Sequence, residues 1–155
     1  MFSIVPYRNL DLVLDVYDQT LAQSLELKEG AAEILRKLKL AGWPVMVISE
    51  GPHDAQETTL HRLGIASFVD LLVTSSQERM TKRDGLFRQA LERVDCAGDQ
   101  LVFAGDSIES DIVPAVALGI NAVYVGAEAA LPPGILRISS LLELESMLPD
   151  RSPEL

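Results

Sequence analysis

Four unbroken apolar runs punctuate the chain, and each ends in a small or polar cluster. Trp43-Pro44-Val45-Met46-Val47-Ile48 stops at Ser49-Glu50-Gly51-Pro52, and Leu71-Leu72-Val73-Thr74 stops at Ser75-Ser76. Leu101-Val102-Phe103-Ala104 stops at Gly105-Asp106-Ser107, and a further run spans 122–125. Between them apolar residues return at helical spacing, as in Leu86, Phe87, Ala90, Leu91 and Val94. The pattern predicts helix 30–40, strand 44–49, helix 53–63, strand 70–74, helix 83–95, strand 101–105, helix 110–118, strand 121–125 and a last helix near 139–148. Such alternation implies right-handed crossovers and an α/β fold, a parallel sheet with helices on both faces. Residues 130–134 read as a turn and 151–155 as a frayed tail, so 1–150 form one expected domain.

The N-terminal stretch carries a different pattern. Leu10, Val13, Leu14, Tyr17 and Leu21 recur at steps of three and four, with Asp11, Asp15 and Asp18 as a matching polar stripe. This spacing predicts an amphipathic helix from about Asn9 to Ser24, the three aspartates forming a solvated face. Leu12-Val13-Leu14 lacks the alternation of a half-buried strand. Met1-Phe2-Ser3-Ile4-Val5, ended by Pro6, is a short strand candidate.

Composition narrows the function. With 155 residues, 48% of them apolar, the chain can bury one core, and no apolar stretch approaches the length of a membrane span. A net charge of −10 disfavours nucleic acid and anionic membranes, which need a basic patch. Cys96 is the only cysteine, which rules out an internal disulfide and fits a reducing, cytoplasmic setting. No charged-then-apolar leader is evident. His53 and His61 lack the spacing of a zinc pair.

The chemistry gathers at the predicted strand ends, where open α/β sheets bind ligands. Asp106 falls at the tip of the third run and Asp111 about one helical turn later, an oxygen-only pair suited to Mg²⁺. The same residues also suit a plain helix start, with Asp106-Ser107 as cap and Asp111 in the first turn. Ser49 and Lys82 arrive at two other strand ends. A hydroxyl, a fixed positive charge and a pair of acids together are what phosphoryl chemistry requires.

These segments resemble the haloacid dehalogenase superfamily of hydrolases over about Leu27 to Leu148. Leu27-Lys28-Glu29-Gly30 with Ile34, Leu35 and Leu38 is similar to the helix leading into that family's second strand. Ser49 matches its second motif, Lys82 the lysine of its third, and Gly105-Asp106-Ser107 with Asp111 its fourth. The resemblance implies a three-layer Rossmann-like core, here capless or cap-truncated, and a Mg²⁺-dependent phosphatase acting on a small phosphorylated molecule. It also implies phosphate binding by Ser49, Glu50, Gly51 and Lys82, and metal binding by Asp106 and Asp111.

The family's first motif places a nucleophilic Asp, a second Asp two residues on and a Thr two further. Here Asp18 and Thr20 have the right mutual spacing, while Asp15 stands one residue out of register. Asp15 and Asp18 are therefore the candidate catalytic carboxylates, alongside Lys82. The family's first strand lies between those ending at Ser49 and Gly105, a slot that 1–5 can fill, presenting Pro6-Tyr7-Arg8 at its tip with Arg8 near the acids. Three readings stay open: a phosphohydrolase; a non-catalytic binding module or fragment of the same fold; and a phosphoacceptor receiver domain, which expects its acids after the first strand. An uncapped mouth leaves room for closure by a second copy.

Overall fold

A computed structural model of the chain describes residues 2–5, 11–13, 26–127 and 130–148. In chain order its main elements are β1 (Phe2–Val5), β2 (Asp11–Val13), α1 (Ala31–Leu40), β3 (Met46–Ser49), α2 (His53–Arg62), β4 (Leu71–Thr74) and α3 (Ser75–Glu78). These are followed by α4 (Leu86–Val94), β5 (Leu101–Gly105), α5 (Val113–Ala117), β6 (Asn121–Val125) and β7 (Leu136–Ile138).

The four apolar runs are strands, and they read as continuous because both faces are covered. Val45, Val47, Val102, Ala104, Val123 and Val125 turn to one layer, against Ile34, Leu35 and Leu38 of α1, Leu60 of α2 and the C-terminal residues Leu141 and Leu144. Met46, Ile48, Val73, Leu101, Phe103, Ala122 and Tyr124 turn to the other, against Leu86, Phe87 and Ala90 of α4 and Ile112 and Ala115 around α5. Phe87 and Phe103 meet edge to face, ring centres 4.8 Å apart. Successive residues alternate between the two layers, as strand geometry demands. The three-layer α/β fold expected from the sequence is therefore present.

The strands run in parallel ladders: β3 with β4 from Met46↔Leu71 to Ser49↔Thr74, and β5 with β6 from Val102↔Asn121 to Gly105↔Tyr124. All of these end on one side. β7 continues the ladder parallel to β6; it has three residues, too few for a periodicity to show. The two sheets are ordered β1-β3-β4 and β2-β5-β6-β7, and β1 also lies against β2 and β5.

Two N-terminal expectations change. Residues 11–13, expected in a helix, form a strand parallel to β5, with Asp11↔Leu101 and Val13↔Phe103. β2 is the end strand of its sheet, and the β5 edge supplies backbone hydrogen bonds that no local periodicity reveals. The rest of the expected helix lies outside the described residues. β1 does pair with β3, but antiparallel: Phe2 faces Ser49 and Val5 faces Met46. The end of β1 that leads to Pro6 is thus at the opposite end of β3 from Ser49, and Arg8 lies outside the described residues.

Elsewhere the helix boundaries shift. The predicted helix 83–95 is a short 3-10 turn, Lys82–Asp84, followed by α4. The last helix is a 3-10 segment, Leu141–Met147. Lys37 of α1 joins it through Glu145 at 2.7 Å and pairs with Glu33 one turn back at 3.6 Å.

Candidate active site

β3 ends at Ser49, which is fully buried. Its Oγ donates to Gln56 Oε1 on α2 at 3.0 Å, while Gln56 Nε2 donates to the Glu50 carbonyl at 3.1 Å. Gly51 turns the chain with φ 125, and a Cβ there would come within 2.7 Å of Gln56 Nε2, so the position requires glycine. Its amide donates to Ser75 Oγ at 2.8 Å, and the His53 amide to Ser76 Oγ at 3.0 Å. The turns after β3 and β4 are thereby laced together.

Lys82 enters from the loop after α3 and is 1% exposed. Its backbone amide donates to Glu50 Oε1 at 2.7 Å, and its Nζ donates to Asp111 Oδ1 at 2.6 Å. The carboxylate of Glu50, a residue expected in the phosphate-binding turn, fixes the lysine's backbone. Burial makes the Lys82–Asp111 pair costly to form and costlier to break, since either partner alone would leave an uncompensated charge in the interior.

Asp111 is positioned by an irregular turn. Ile108–Ile112 form a single wide π turn, with the Asp111 and Ile112 amides both donating to the Ser107 carbonyl. Pro114 follows in the first turn of α5, where its missing N–H breaks no established ladder. The second Asp111 oxygen, Oδ2, accepts the Ser107 amide at 3.1 Å. Gly105 makes room for this: a Cβ would stand 2.6 Å from Asp111 Cβ and 2.7 Å from the Phe103 ring.

Asp106, one residue past β5, behaves differently. Its Oδ2 pairs with Lys28 Nζ at 3.0 Å, and its Oδ1 is buried with no hydrogen-bond partner among the described residues. A buried carboxylate oxygen left open costs free energy unless something cationic or protic meets it. The site therefore fits a hard divalent cation held first by Asp106, with Asp111 beside it already engaged through both oxygens. Among the described residues no cluster of three or more His, Cys, Asp or Glu side chains could hold a metal.

The structure thus joins Lys82 to Asp111 directly and ties Ser49 to Lys82 through the adjacent Glu50. Gly51 belongs to the same turn, its amide given to Ser75. Asp15 and Asp18 lie outside the described residues. Lys28 is the residue that sequence reasoning missed; it precedes a helix start and gives no signal of its own. A surface hollow of about 500 Å³, lined by Gly51, Ser75, Ser76, Arg79, Thr81 and Asp84 among others, adjoins the turn that carries Lys82.

Fold and site define a parallel α/β protein with its polar machinery outside the carboxyl ends of the strands. The sequence model for haloacid dehalogenase-like hydrolases matches residues 7–119, and the chain belongs to that family. The ribulose-1,5-bisphosphate 5-phosphatase of Halopiger xanaduensis is 30% identical over 110 residues, 70% of this chain and 46% of that protein. The glyceraldehyde 3-phosphate phosphatase of Methanothermobacter thermautotrophicus is 36% identical over 92 residues, 59% of this chain and 41% of that protein. The chain therefore spans about half the length of these curated relatives or somewhat less. Among solved structures, a dehalogenase superposes with a TM-score of 0.74 at 23% identity, covering 83% of this chain and 59% of its own. A HAD phosphatase from Thermococcus onnurineus reaches 0.70 at 21% identity, covering 79% and 58%. At these identities the likeness concerns the fold.

Proposed function

We propose that the chain hydrolyses a small phosphate monoester, with Mg²⁺ held at Asp106 and a phosphorylated aspartate as intermediate. The observation that carries this reading is the buried Lys82–Asp111 pair beside a second carboxylate whose Oδ1 lacks a partner among the described residues. The hydroxyl-bearing Ser49 at the end of β3 is buried as well, and its neighbour Glu50 holds the Lys82 backbone. The named activities of the relatives, on ribulose-1,5-bisphosphate and glyceraldehyde 3-phosphate, point to a short sugar phosphate as substrate class. Among the described residues no helix is long and apolar enough to cross a membrane.

Asp15 is the better candidate for the attacking carboxylate. It follows Val13 by two residues, as Gly105 follows Phe103, and Val13 pairs with Phe103 in the ladder. The family match from residue 7 takes in this segment. In the first step an Asp15 oxygen forms a bond to phosphorus as the bond to the ester oxygen breaks, and Asp18 delivers a proton to the departing alcohol. In the second, water loses a proton to Asp18 and attacks phosphorus, the bond to Asp15 breaks, and phosphate leaves. Ser49 and Lys82 orient the phosphoryl oxygens, and Lys82 offsets the charge that spreads over them. Bound Mg²⁺ would supply further charge neutralisation of the phosphoryl group.

The test is turnover of a generic phosphate ester by the wild-type chain and by Asp15→Asn and Asp18→Asn, with trapping by beryllium fluoride and Mg²⁺. The reading expects Asp15→Asn to abolish both turnover and trapping. Mg²⁺ binding with no turnover at any pH and no trapped adduct would instead support a non-catalytic module of the same fold.

A further inference from the structure

We infer that Lys28 is an internal competitor for the divalent cation at Asp106, setting how much Mg²⁺ the site needs; this rests on the metal-binding part of the reading above. Lys28 Nζ lies 3.0 Å from Asp106 Oδ2, the two side chains 23% and 18% exposed. Oδ1 of the same carboxylate is buried and has no hydrogen-bond partner among the described residues. One carboxylate thus carries an ammonium on one oxygen and keeps the other open. Any cation drawn to the open oxygen meets the Lys28 charge at close quarters. Although the site is partly solvated, two like charges on one carboxylate a few ångströms apart still oppose each other's binding.

The placement of Lys28 is built into the backbone. Its carbonyl accepts the Ala31 amide at 3.0 Å at the entry to α1, and the next carbonyl, of Glu29, accepts the Leu141 amide at 3.1 Å. Gly30 then adopts φ 79, and a Cβ there would come within 2.8 Å of Leu142 and 2.9 Å of Ser140 Oγ. The segment 28–30 is therefore pinned between α1 and the C-terminal 3-10 turn. Lys37, by contrast, makes its pairs on the surface, with both partners more than half exposed. Lys28 is held where its charge falls on Asp106, and its effect on the cation acts through that residue.

The measurement is a Mg²⁺ titration of the full chain, followed by thermal shift and by calorimetry, for wild type, Lys28→Met, Lys28→Gln, Lys28→Arg and Asp106→Asn. Removing the ammonium is expected to lower the half-saturating Mg²⁺ concentration about tenfold in Lys28→Met and Lys28→Gln, while Lys28→Arg stays near wild type. Asp106→Asn is expected to remove the Mg²⁺ response. Circular dichroism without metal identifies which neutral variants fold, and either one suffices. Unchanged or weaker Mg²⁺ binding in a folded neutral variant, with Asp106→Asn still silent, overturns the role of Lys28 and leaves the metal site standing. A Mg²⁺ response that survives Asp106→Asn, or none in any of the proteins, overturns the site and the role together.

Discussion

Two lysine–aspartate pairs stand at the ends of the same parallel strands, and their surroundings make them different devices. Lys82 and Asp111 are 1% and 0% exposed and every visible oxygen of Asp111 is used. Lys28 and Asp106 remain in reach of solvent, and Asp106 keeps one oxygen without a partner among the described residues. The first pair is structural first: the interior tolerates neither charge without the other. The second is exchangeable, because water can attend either partner when they separate. Burial separates them: identical chemistry yields a fixed strut in one place and, in the other, a partly solvated pair whose carboxylate keeps one oxygen without a partner among the described residues.

The sharpest way to break this comparison is to remove Lys82. Lys82→Ala should leave Asp111 buried and uncompensated, lowering stability by about 3–5 kcal/mol in a denaturant titration, together with loss of turnover. A loss below about 1 kcal/mol would mean the pair is not the strut described. Gly105→Ala comes next. Its Cβ would stand 2.6 Å from Asp111 Cβ, so a cost of about 1–3 kcal/mol is expected as Asp111 is pushed out of place. Thermal melting checks it.

Asp106→Asn sharpens the contrast from the other side. It should change metal-free stability by less than about 1 kcal/mol, because the pair it disrupts is partly solvated. Turnover of the ester should still fall by at least about 100-fold, read in a steady-state assay. Equal destabilisation by Asp106→Asn and Lys82→Ala would erase the distinction between the two pairs.

The smallest effect lies away from the strand ends, in the cap that holds the C-terminal 3-10 turn. Amide hydrogen bonds from Ser140 and Ser139, with the Ser139 hydroxyl, hold the Glu143 carboxyl below its ordinary value of 4.5. A carboxyl with a depressed folded pKa adds stability above its unfolded value and loses it as pH falls through the folded one. Glu143→Gln should therefore lower stability slightly at neutral pH and leave it nearly unchanged in acid below the folded pKa, which flattens the acid limb of the stability curve. Melting temperature against pH measures this.

Much of the molecule was legible in the chain. The apolar stretches within 44–49, 70–74, 101–105 and 121–125 mark strands because a strand covered on both faces must be largely apolar, a local property. Gly105-Asp106 with Asp111, Ser49 and Lys82 were legible as a set because each directly follows or soon follows such a run. The segment 11–13 misled for the opposite reason: its helical spacing is real, but the partner that makes it a strand, β5, lies some 90 residues away along the chain. The tie between the Glu50 carboxylate and the Lys82 backbone was not legible either, since it joins residues 32 positions apart.

The sequence by itself determined the α/β layering and which residue types arrive at the strand ends, since both follow from the order of apolar and polar positions along neighbouring residues. Only the tertiary structure decided which lysine meets which aspartate, and hence which carboxylate is closed and which stays open. Coulombic pairing and desolvation depend on distances across the fold, from residue 28 to 106 and from 82 to 111, and no local pattern encodes them.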